Sequence, residues 1–259
     1  MTSLGYLVAA LFLPLFPFSM LFNRLLARFP SVRSRMGLFL LWPQPGVLML
    51  AILGERPPAW MVWWAALTSL LYALRGVAVR DLSLWTGYMA TSAWALLWPA
   101  AAFGAFTEGG AALAWQALGL SAPFLLLAWL AGRLESELGA AYAGLCGGLA
   151  QTMPRLSGLL VLGVLASVGT PPVPGFFTLL ATTIHALPAS PGIALVIVTV
   201  WLLWAWSGAR ILQGFVVGPA CADSGPDLGR DLGVTTARLL GLAFAVLVLA
   251  GIGLSGEMT

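Results

Sequence analysis

The sequence is a succession of apolar runs, most of them about as long as a membrane is thick. Only 8% of its 259 residues are charged and its mean hydropathy is +0.96, whereas a soluble domain carries roughly 25% charged residues. A membrane-spanning helix needs about 20 apolar residues. The pattern predicts an all-α polytopic membrane protein with about nine spans, at residues 5–22, 37–54, 58–74, 82–103, 110–131, 156–168, 171–187, 193–217 and 235–254.

One apolar stretch, residues 156–187, is interrupted near its centre by Pro171, Pro172, Pro174 and Gly175. Proline removes a backbone donor and disrupts a helix, and in lipid each freed carbonyl must find a partner inside the protein. Transporters place such breaks at the membrane midplane, where the helix ends meet an ion or a substrate. Two interpretations stay open: a discontinuous helix of that kind, or a short loop between two spanning helices.

Arginine supplies all twelve basic residues, and four arginines stand close together at residues 24–35. Cytoplasmic loops carry an excess of Lys and Arg, so this segment predicts an amino terminus outside and a carboxy terminus inside, in a bacterial inner membrane. Under this topology Arg56, Arg210 and Arg230 lie at the outer side, and Arg238 is ambiguous. The first run lacks a basic leader and a cleavage site, so it is expected to stay as a helix. Residues 1–57 form a first region of two helices around the basic loop, and residues 58–259 form the second.

Several function classes are excluded or unsupported. The arginines are dispersed near segment ends, so no nucleic-acid footprint is present. Cys146 and Cys221 lie far apart without CxxC spacing, so a metal site or a redox pair is not expected. No cluster of metal or cofactor ligands occurs, and we expect this chain to bind no cofactor.

Four stretches carry a resemblance to a known family. They are LTSLLYALRGVAVRDLSLWTGYMATSAWAL at 67–96, AWQALGLSAPFLLLAWLAGRL at 114–134, GGLAQTMPRLSGLLVLGVLASVGTPPVPGFF at 147–177, and WAWSGARILQGFVVGP at 204–219. Together they resemble the antiporter-like, proton-conducting membrane subunits of respiratory complex I, membrane-bound hydrogenases and multisubunit cation/proton antiporters. The resemblance covers about residues 65–254 and makes 58–259 an antiporter-like domain. It implies a half-channel at the broken helix and a relay of buried Lys, Glu and His residues.

The departures from this family are informative. The position of its usual Lys or Glu after the broken helix is Leu179, beside Thr178, and Leu118 stands where its histidine would be. The sequence has no lysine, and most of the family's first inverted repeat is missing. A proton relay needs titratable or hydrogen-bonding groups across the dry core, so we expect no complete proton path of the family type.

Some polar residues within the apolar runs remain candidates for function. Thr178, Thr182 and His185 are spaced to share one helix face, as a residual proton wire or a headgroup site. Alternatively, the threonines bond their own backbone and His185 lies at the inner interface. Arg210 either pairs with an acidic residue of a partner or reaches the outer surface. Gln116 is a candidate to cap a freed carbonyl of the broken helix.

The resulting hypothesis is a structural or coupling subunit, itself non-catalytic, of a larger complex related to NADH–quinone oxidoreductase. Its expected partners are other membrane subunits, including a full-length antiporter-like homologue, and lipid. The alternative is a proton-conducting subunit of a proton-driven transport complex, such as one for inorganic carbon uptake, with missing charges supplied by a partner. A third hypothesis is an independent lipid- or quinone-binding membrane protein.

Overall fold

A computed structural model of the chain describes residues 2–29, 31–105, 110–145, 147–218 and 231–256. Cys146, Cys221 and the predicted outer loop as far as Arg230 lie outside these residues. The described part is helical, with one isolated bridge between Asp81 and Tyr142. The elements are α1 Thr2–Phe12, α2 Ser19–Arg28, α3 Val32–Leu41, α4 Pro43–Leu53, α5 Ala59–Ala78, α6 Leu82–Ala95, α7 Leu97–Ala100, a π-helical segment Ala101–Ala105, α8 Gly110–Leu138, α9 Leu149–Thr152, α10 Pro154–Ser167, α11 Pro174–Ala189, α12 Pro191–Val216 and α13 Val234–Gly256.

The all-α membrane architecture predicted from the apolar runs is confirmed. Five helical stretches of the described chain are long and apolar enough to cross a membrane. The first consists of α3 and α4, which are separated only by Trp42. These stretches are Val32–Leu53, Ala59–Ala78, Ala111–Leu138, Pro191–Val216 and Val234–Gly253.

Contacts between helices define two ends of the bundle. At the apical end, the Tyr6 hydroxyl lies 3.4 Å from the carbonyl oxygen of Arg56, just before α5 begins. At the basal end, after α5, the turn into α6 lies beside the ion pair of Arg35 with Glu135, whose nitrogen and oxygen are 3.1 Å apart. Each run of chain between the two ends is called a passage below.

Helices α10 and α11 form one discontinuous passage. Both pack along α8, which descends from the apical to the basal end. In α10, Gly163 faces Leu127 of α8, whereas Pro174 at the start of α11 faces Gly119. Gly119 lies eight residues nearer the apical end, or about 12 Å along a helix axis. The predicted sixth and seventh spans are therefore the two halves of a single span.

The first passage is also broken. The sequence predicts one helix over 5–22, kinked at Pro14 and Pro17, but α1 ends at Phe12 and α2 begins at Ser19. Helix α2 then continues through part of the predicted basic loop to Arg28. This discontinuous passage runs from the apical to the basal end, opposite in direction to α10–α11.

Counting each broken pair once, the described residues make eight passages, so the predicted number of nine is not confirmed. Helix α13 starts at the basal end, where Asp231 accepts hydrogen bonds from the backbone of Arg155 and Leu156. It then rises past the break between α10 and α11, where Gly251 meets the carbonyl of Pro172. Helices α1 and α13 thus place both termini of the described chain at the apical end. The sequence predicted termini on opposite sides because it counted these two half-spans as two spans.

The helices of the two predicted regions share one core. A cluster of rings from α2, α3, α6 and α8 consists of Phe22, Phe39, Trp94 and Phe124, and the Phe22 and Trp94 centroids are 4.9 Å apart. All four side chains are buried. Nearby, Gly132 of α8 receives the side chain of Val32 from α3. The regions divided at residue 57 in the sequence therefore pack together through large aromatic surfaces.

Replacing Gly251 by alanine is expected to push α13 away from the break. An added Cβ would overlap the Pro172 carbonyl oxygen and lie 2.9 Å from the Pro174 nitrogen. Overpacking of this kind costs about 1–3 kcal/mol, so thermal unfolding of Gly251→Ala in detergent should begin several degrees lower. Gly253→Ala is the matched control, because no atom lies within 4 Å of its added Cβ. Equal unfolding temperatures for the two variants would contradict this packing.

Candidate functional site: the helix break and the basal cavity

The break between α10 and α11 is closed by hydrogen bonds from within the chain. The indole Nε1 of Trp201 in α12 donates to the carbonyl oxygens of Val168 at 2.9 Å and Gly169 at 3.2 Å. The hydroxyl of Thr170 donates to the carbonyl of Leu165 at 3.0 Å. Gly169 has a φ of +71°, a left-handed conformation that suits glycine. The carbonyls of Leu165, Val168 and Gly169 therefore have neutral donors within the protein.

The predicted prolines occupy distinct positions in this break. Pro171 and Pro172 are exposed in the connecting segment, and the peptide bond between them is cis. Pro174 and Gly175 are buried in the first turn of α11. Proline suits the first turn of a helix because the N–H it lacks would have no partner there. The sequence therefore both ends one half-helix and begins the next.

The predicted polar stripe on α11 does not form a continuous chain of hydrogen bonds in this structure. Thr178 and Thr182 are buried, and the hydroxyl of Thr182 donates to the backbone carbonyl of Thr178 at 2.6 Å. His185 is exposed and lies against Gly104 at the apical end. Thr182 is therefore bonded to its own helix, as the alternative interpretation of this stripe expected. The sequence prediction placed His185 at the same interface as the arginines of residues 24–35. In the structure those arginines are at the basal end, opposite His185.

Gln116 lies beside the break without bonding to it. It lines an apolar groove of about 540 Å³ between α8, α13 and Pro174 at the start of α11. Its Oε1 is buried and has no hydrogen-bond partner. No hydrogen bond joins its side chain to the described residues of the break, so its predicted role as a cap does not occur in this conformation.

Arg210 lies at the basal end, the same end as the arginines of residues 24–35, whereas the topology prediction placed it at the opposite end from them. Helix α12 descends from the apical end, and the Nη1 of Arg210 donates to the carbonyl of Val77 in the last turn of α5 at 2.8 Å. The side chain is exposed. This position follows directly from the eight-passage path, which reverses the direction predicted for α12.

A polar cavity at the basal end was not predicted. It has a volume of about 320 Å³ and lies between α2, α3, α6 and α8. At its mouth, Arg35 is paired with Glu135, and the Ser83 hydroxyl donates to Glu135 Oε1 at 2.8 Å. Arg35 also donates from Nε to the carbonyl of Phe29 at 2.9 Å. The sequence prediction ended the fifth span at residue 131, which left Glu135 in a loop, whereas α8 continues to Leu138.

One wall of this cavity carries the amide of Asn23, which is bonded to residues behind it. The Nδ2 of Asn23 donates to Thr91 Oγ1 and to the carbonyl of Ser19, both at 3.0 Å. Asn23 Oδ1 and Ser19 Oγ are buried without a partner. Buried polar atoms are usually bonded, so these two atoms are exceptions next to the cavity. The cavity is an inlet from the basal end with a carboxylate at its mouth.

The comparisons with solved structures identify the fold. A chain of the Mrp complex from Dietzia sp. DQ12-45-1b matches with a TM-score of 0.83 and 20% identity, over 99% of this chain and 56% of that one. A chain of respiratory complex I from Thermus thermophilus with bound NADH gives 0.79 and 23%, over 96% and 53%. A chain of the membrane-bound sulfane sulfur reductase, an archaeal respiratory membrane complex, gives 0.80 and 18%, over 96% and 52%.

The fold resemblance inferred from the sequence motifs is therefore confirmed, and the protein is an integral membrane protein with an antiporter-like fold. It spans about half the length of the solved chains it matches. Neither a protein-family model nor a curated protein sequence matches it.

Trp201→Phe is expected to destabilise the break while keeping an aromatic ring against Phe176, whose centroid lies 5.4 Å from that of Trp201. The change removes the donor to Val168 and Gly169, and a buried acceptor left unsatisfied costs about 1–3 kcal/mol. Thermal unfolding in detergent should shift down by several degrees. Trp206→Phe, at an exposed position on the same helix, is the control. If the two variants unfolded together, the indole would not be closing the break.

Proposed function

We propose that this chain is a structural or coupling membrane subunit of a larger redox- or ion-coupled membrane complex, without a complete proton path of its own. The observation that carries the proposal is the closure of the α10–α11 break by the indole of Trp201. A break that binds an ion needs carbonyls or charges free to coordinate it. Here the carbonyls of Val168 and Gly169 are already bonded to an indole, which does not titrate.

The buried polar side chains support the same conclusion. Among the described residues that are fully buried, every polar side chain other than tryptophan and tyrosine is a serine or a threonine. Several bond to one another or to an indole, as where Ser92 Oγ lies 2.9 Å from Ser69 Oγ and accepts from Trp204 Nε1 at 3.0 Å. Hydroxyls at neutral pH carry no charge, and a relay across the dry core needs groups that exchange protons in sequence.

The expected partners follow from the fold and the length. Chains with this fold occur in the Mrp complex, in complex I and in the sulfane sulfur reductase complex, and this chain spans about half of each. We propose that it packs against other membrane subunits, among them a full-length antiporter-like homologue, within lipid of a bacterial inner membrane.

A second candidate function is favoured by the basal cavity. Arg35, Glu135 and Asn23 line one inlet, and a carboxylate near a water-accessible cavity is a group that can pass a proton. In that case the chain would conduct protons within a proton-driven transport complex, and a neighbouring subunit would supply the charges missing beyond Thr91.

The first experiment is purification of the tagged chain from its native membrane in mild detergent, with identification of the proteins that accompany it. Co-purification of redox or transport subunits in fixed proportion is the expected result. A chain that purifies alone, in stoichiometric isolation from native membranes, would contradict the proposal of a complex subunit.

A flux measurement separates the two candidate functions. We expect proteoliposomes that contain the purified chain to take up protons no faster than empty vesicles, and Glu135→Gln to change nothing. Glu137→Gln is the matched control. Glu137 lies two residues after Glu135 on α8 but does not line the cavity, and its Oε1 is paired with Nη2 of Arg133 at 2.7 Å. Flux above the empty-vesicle rate that Glu135→Gln abolishes and Glu137→Gln preserves would establish the second candidate.

The orientation of the bundle is a further prediction. Because cytoplasmic ends are rich in arginine, we propose that the basal end faces the cytoplasm. With both native cysteines replaced by serine, Glu55→Cys should react with a membrane-impermeant maleimide in intact spheroplasts, since Glu55 is exposed at the apical end. Arg33→Cys, exposed near the basal end, should react only after permeabilisation, and the reverse pattern would invert the orientation.

A further inference from the structure

A second basal pocket, separate from the cavity beside Glu135, is lined by two arginines. It has a volume of about 270 Å³ and lies between the turn after α5, the segment around Gly144, and the last turns of α12. Arg80, Arg210 and Gln213 supply its polar side chains. All three carry N–H donors, so the pocket presents positive charge and hydrogen-bond donors to whatever enters it.

Backbone hydrogen bonds hold the walls of this pocket in place. The N–H of Ala143 donates to the carbonyl of Arg80 at 2.8 Å, and that of Gly144 donates to the carbonyl of Gly214 at 2.9 Å. The close approach at Gly214 requires glycine, because an added Cβ would lie 2.8 Å from the Cβ of Ala143. The three segments that carry the polar groups are thus fixed relative to one another.

The two arginines of the pocket have no acidic partner among the residues that the structure describes. Both ion pairs found there involve other residues, Arg35 with Glu135 and Arg133 with Glu137. Asp81, next to Arg80 in the sequence, accepts instead from the N–H of Leu84 at 2.7 Å. The bond of Arg210 to Val77 uses one of the five N–H groups of a guanidinium. Within the described residues, most of the donor capacity of the two guanidinium groups is therefore unused.

An apolar track leads from this pocket towards the membrane interior. Trp206 and Leu202 lie four and eight residues before Arg210 on α12, so they occupy the same face of the helix. Their side chains are 65% and 67% exposed and face outward from the bundle. A ligand with an anionic head in the pocket and a hydrocarbon chain would lie along this track.

We propose that the pocket of Arg80, Arg210 and Gln213 binds a phosphate group, that of an anionic phospholipid whose acyl chain lies along Trp206 and Leu202. The planar guanidinium fork matches phosphate oxygens in a bidentate manner. Basic pockets between spanning helices bind anionic lipid headgroups. This inference uses residues outside the helix break and the Glu135 cavity, so it does not depend on the proposed function.

The test is native mass spectrometry of the purified chain, released from nanodiscs of phosphatidylglycerol and phosphatidylcholine in equal amounts. The wild type should retain phosphatidylglycerol selectively. Loss of one charge-assisted contact should reduce that retention about tenfold in Arg80→Gln, and further in Arg80→Gln/Arg210→Gln. The single variant preserves the bond from Arg210 to Val77, and its unfolding temperature is checked against wild type. Arg24→Gln, an exposed arginine on α2 in the same half of the bundle, is the matched control.

The outcomes distinguish lipid from free phosphate. Retention that survives millimolar inorganic phosphate supports the phospholipid. Displacement of the lipid by inorganic phosphate, with stabilisation of the wild type but not of Arg80→Gln, would uphold phosphate recognition and overturn its assignment to lipid. Equal phosphatidylglycerol retention in Arg80→Gln, Arg24→Gln and the wild type would overturn the site altogether.

Discussion

The requirement that every backbone carbonyl inside a membrane be hydrogen-bonded determines how this bundle is assembled. Two of its passages are broken, and at both breaks the donor is a tryptophan from a neighbouring helix. Trp64 donates to the carbonyl of Phe16 at 2.7 Å and Trp98 to that of Leu13 at 3.1 Å, as Trp201 does at the second break. An indole combines one N–H with a large apolar body. It can therefore satisfy a carbonyl and fill the space beside it without bringing a charge into the bundle.

At these breaks the fold is that of antiporter-like subunits, but the side chains are not the charged ones that the sequence resemblance implies. The antiporter-like architecture is retained over nearly the whole chain, including a discontinuous helix of the kind that elsewhere exposes helix ends to ions. In this chain the surrounding groups are indoles and hydroxyls, and the buried threonines of α6 and α11 bond their own helices, as Thr86, Thr91 and Thr182 do. Charged side chains lie near the two ends of the bundle, most of them at the basal end. The antiporter-like architecture is thus combined here with buried indoles and hydroxyls, as far as the described residues show.

Much of the fold could be predicted from the sequence, because lipid imposes long apolar helices that are easily recognised. The break at residues 171–175 could be located because proline has no N–H. What could not be predicted was that 156–168 and 171–187 join in one passage, since each alone is an apolar run and only the contacts of Gly163 and Pro174 with α8 show their relative height. Glu135 was missed for a related reason, because a charged residue after an apolar run looks the same whether the helix ends or continues. Its pairing with Arg35, a hundred residues earlier, leaves no local signal.

The arginines provide an independent argument for the corrected path. With nine spans, eight arginines lay on one side and three on the other, and Arg238 was ambiguous. Following the eight passages of the structure, Arg210 moves to the basal end, and Arg238 joins it near the start of α13. Of the arginines in the described residues, only Arg56 remains at the apical end, and Arg230 lies outside them. The contacts that join α10 to α11 involve no arginine. The path that follows the helix contacts therefore gives a sharper charge asymmetry than the path drawn from the apolar runs, as expected if membrane insertion has selected the positions of these charges.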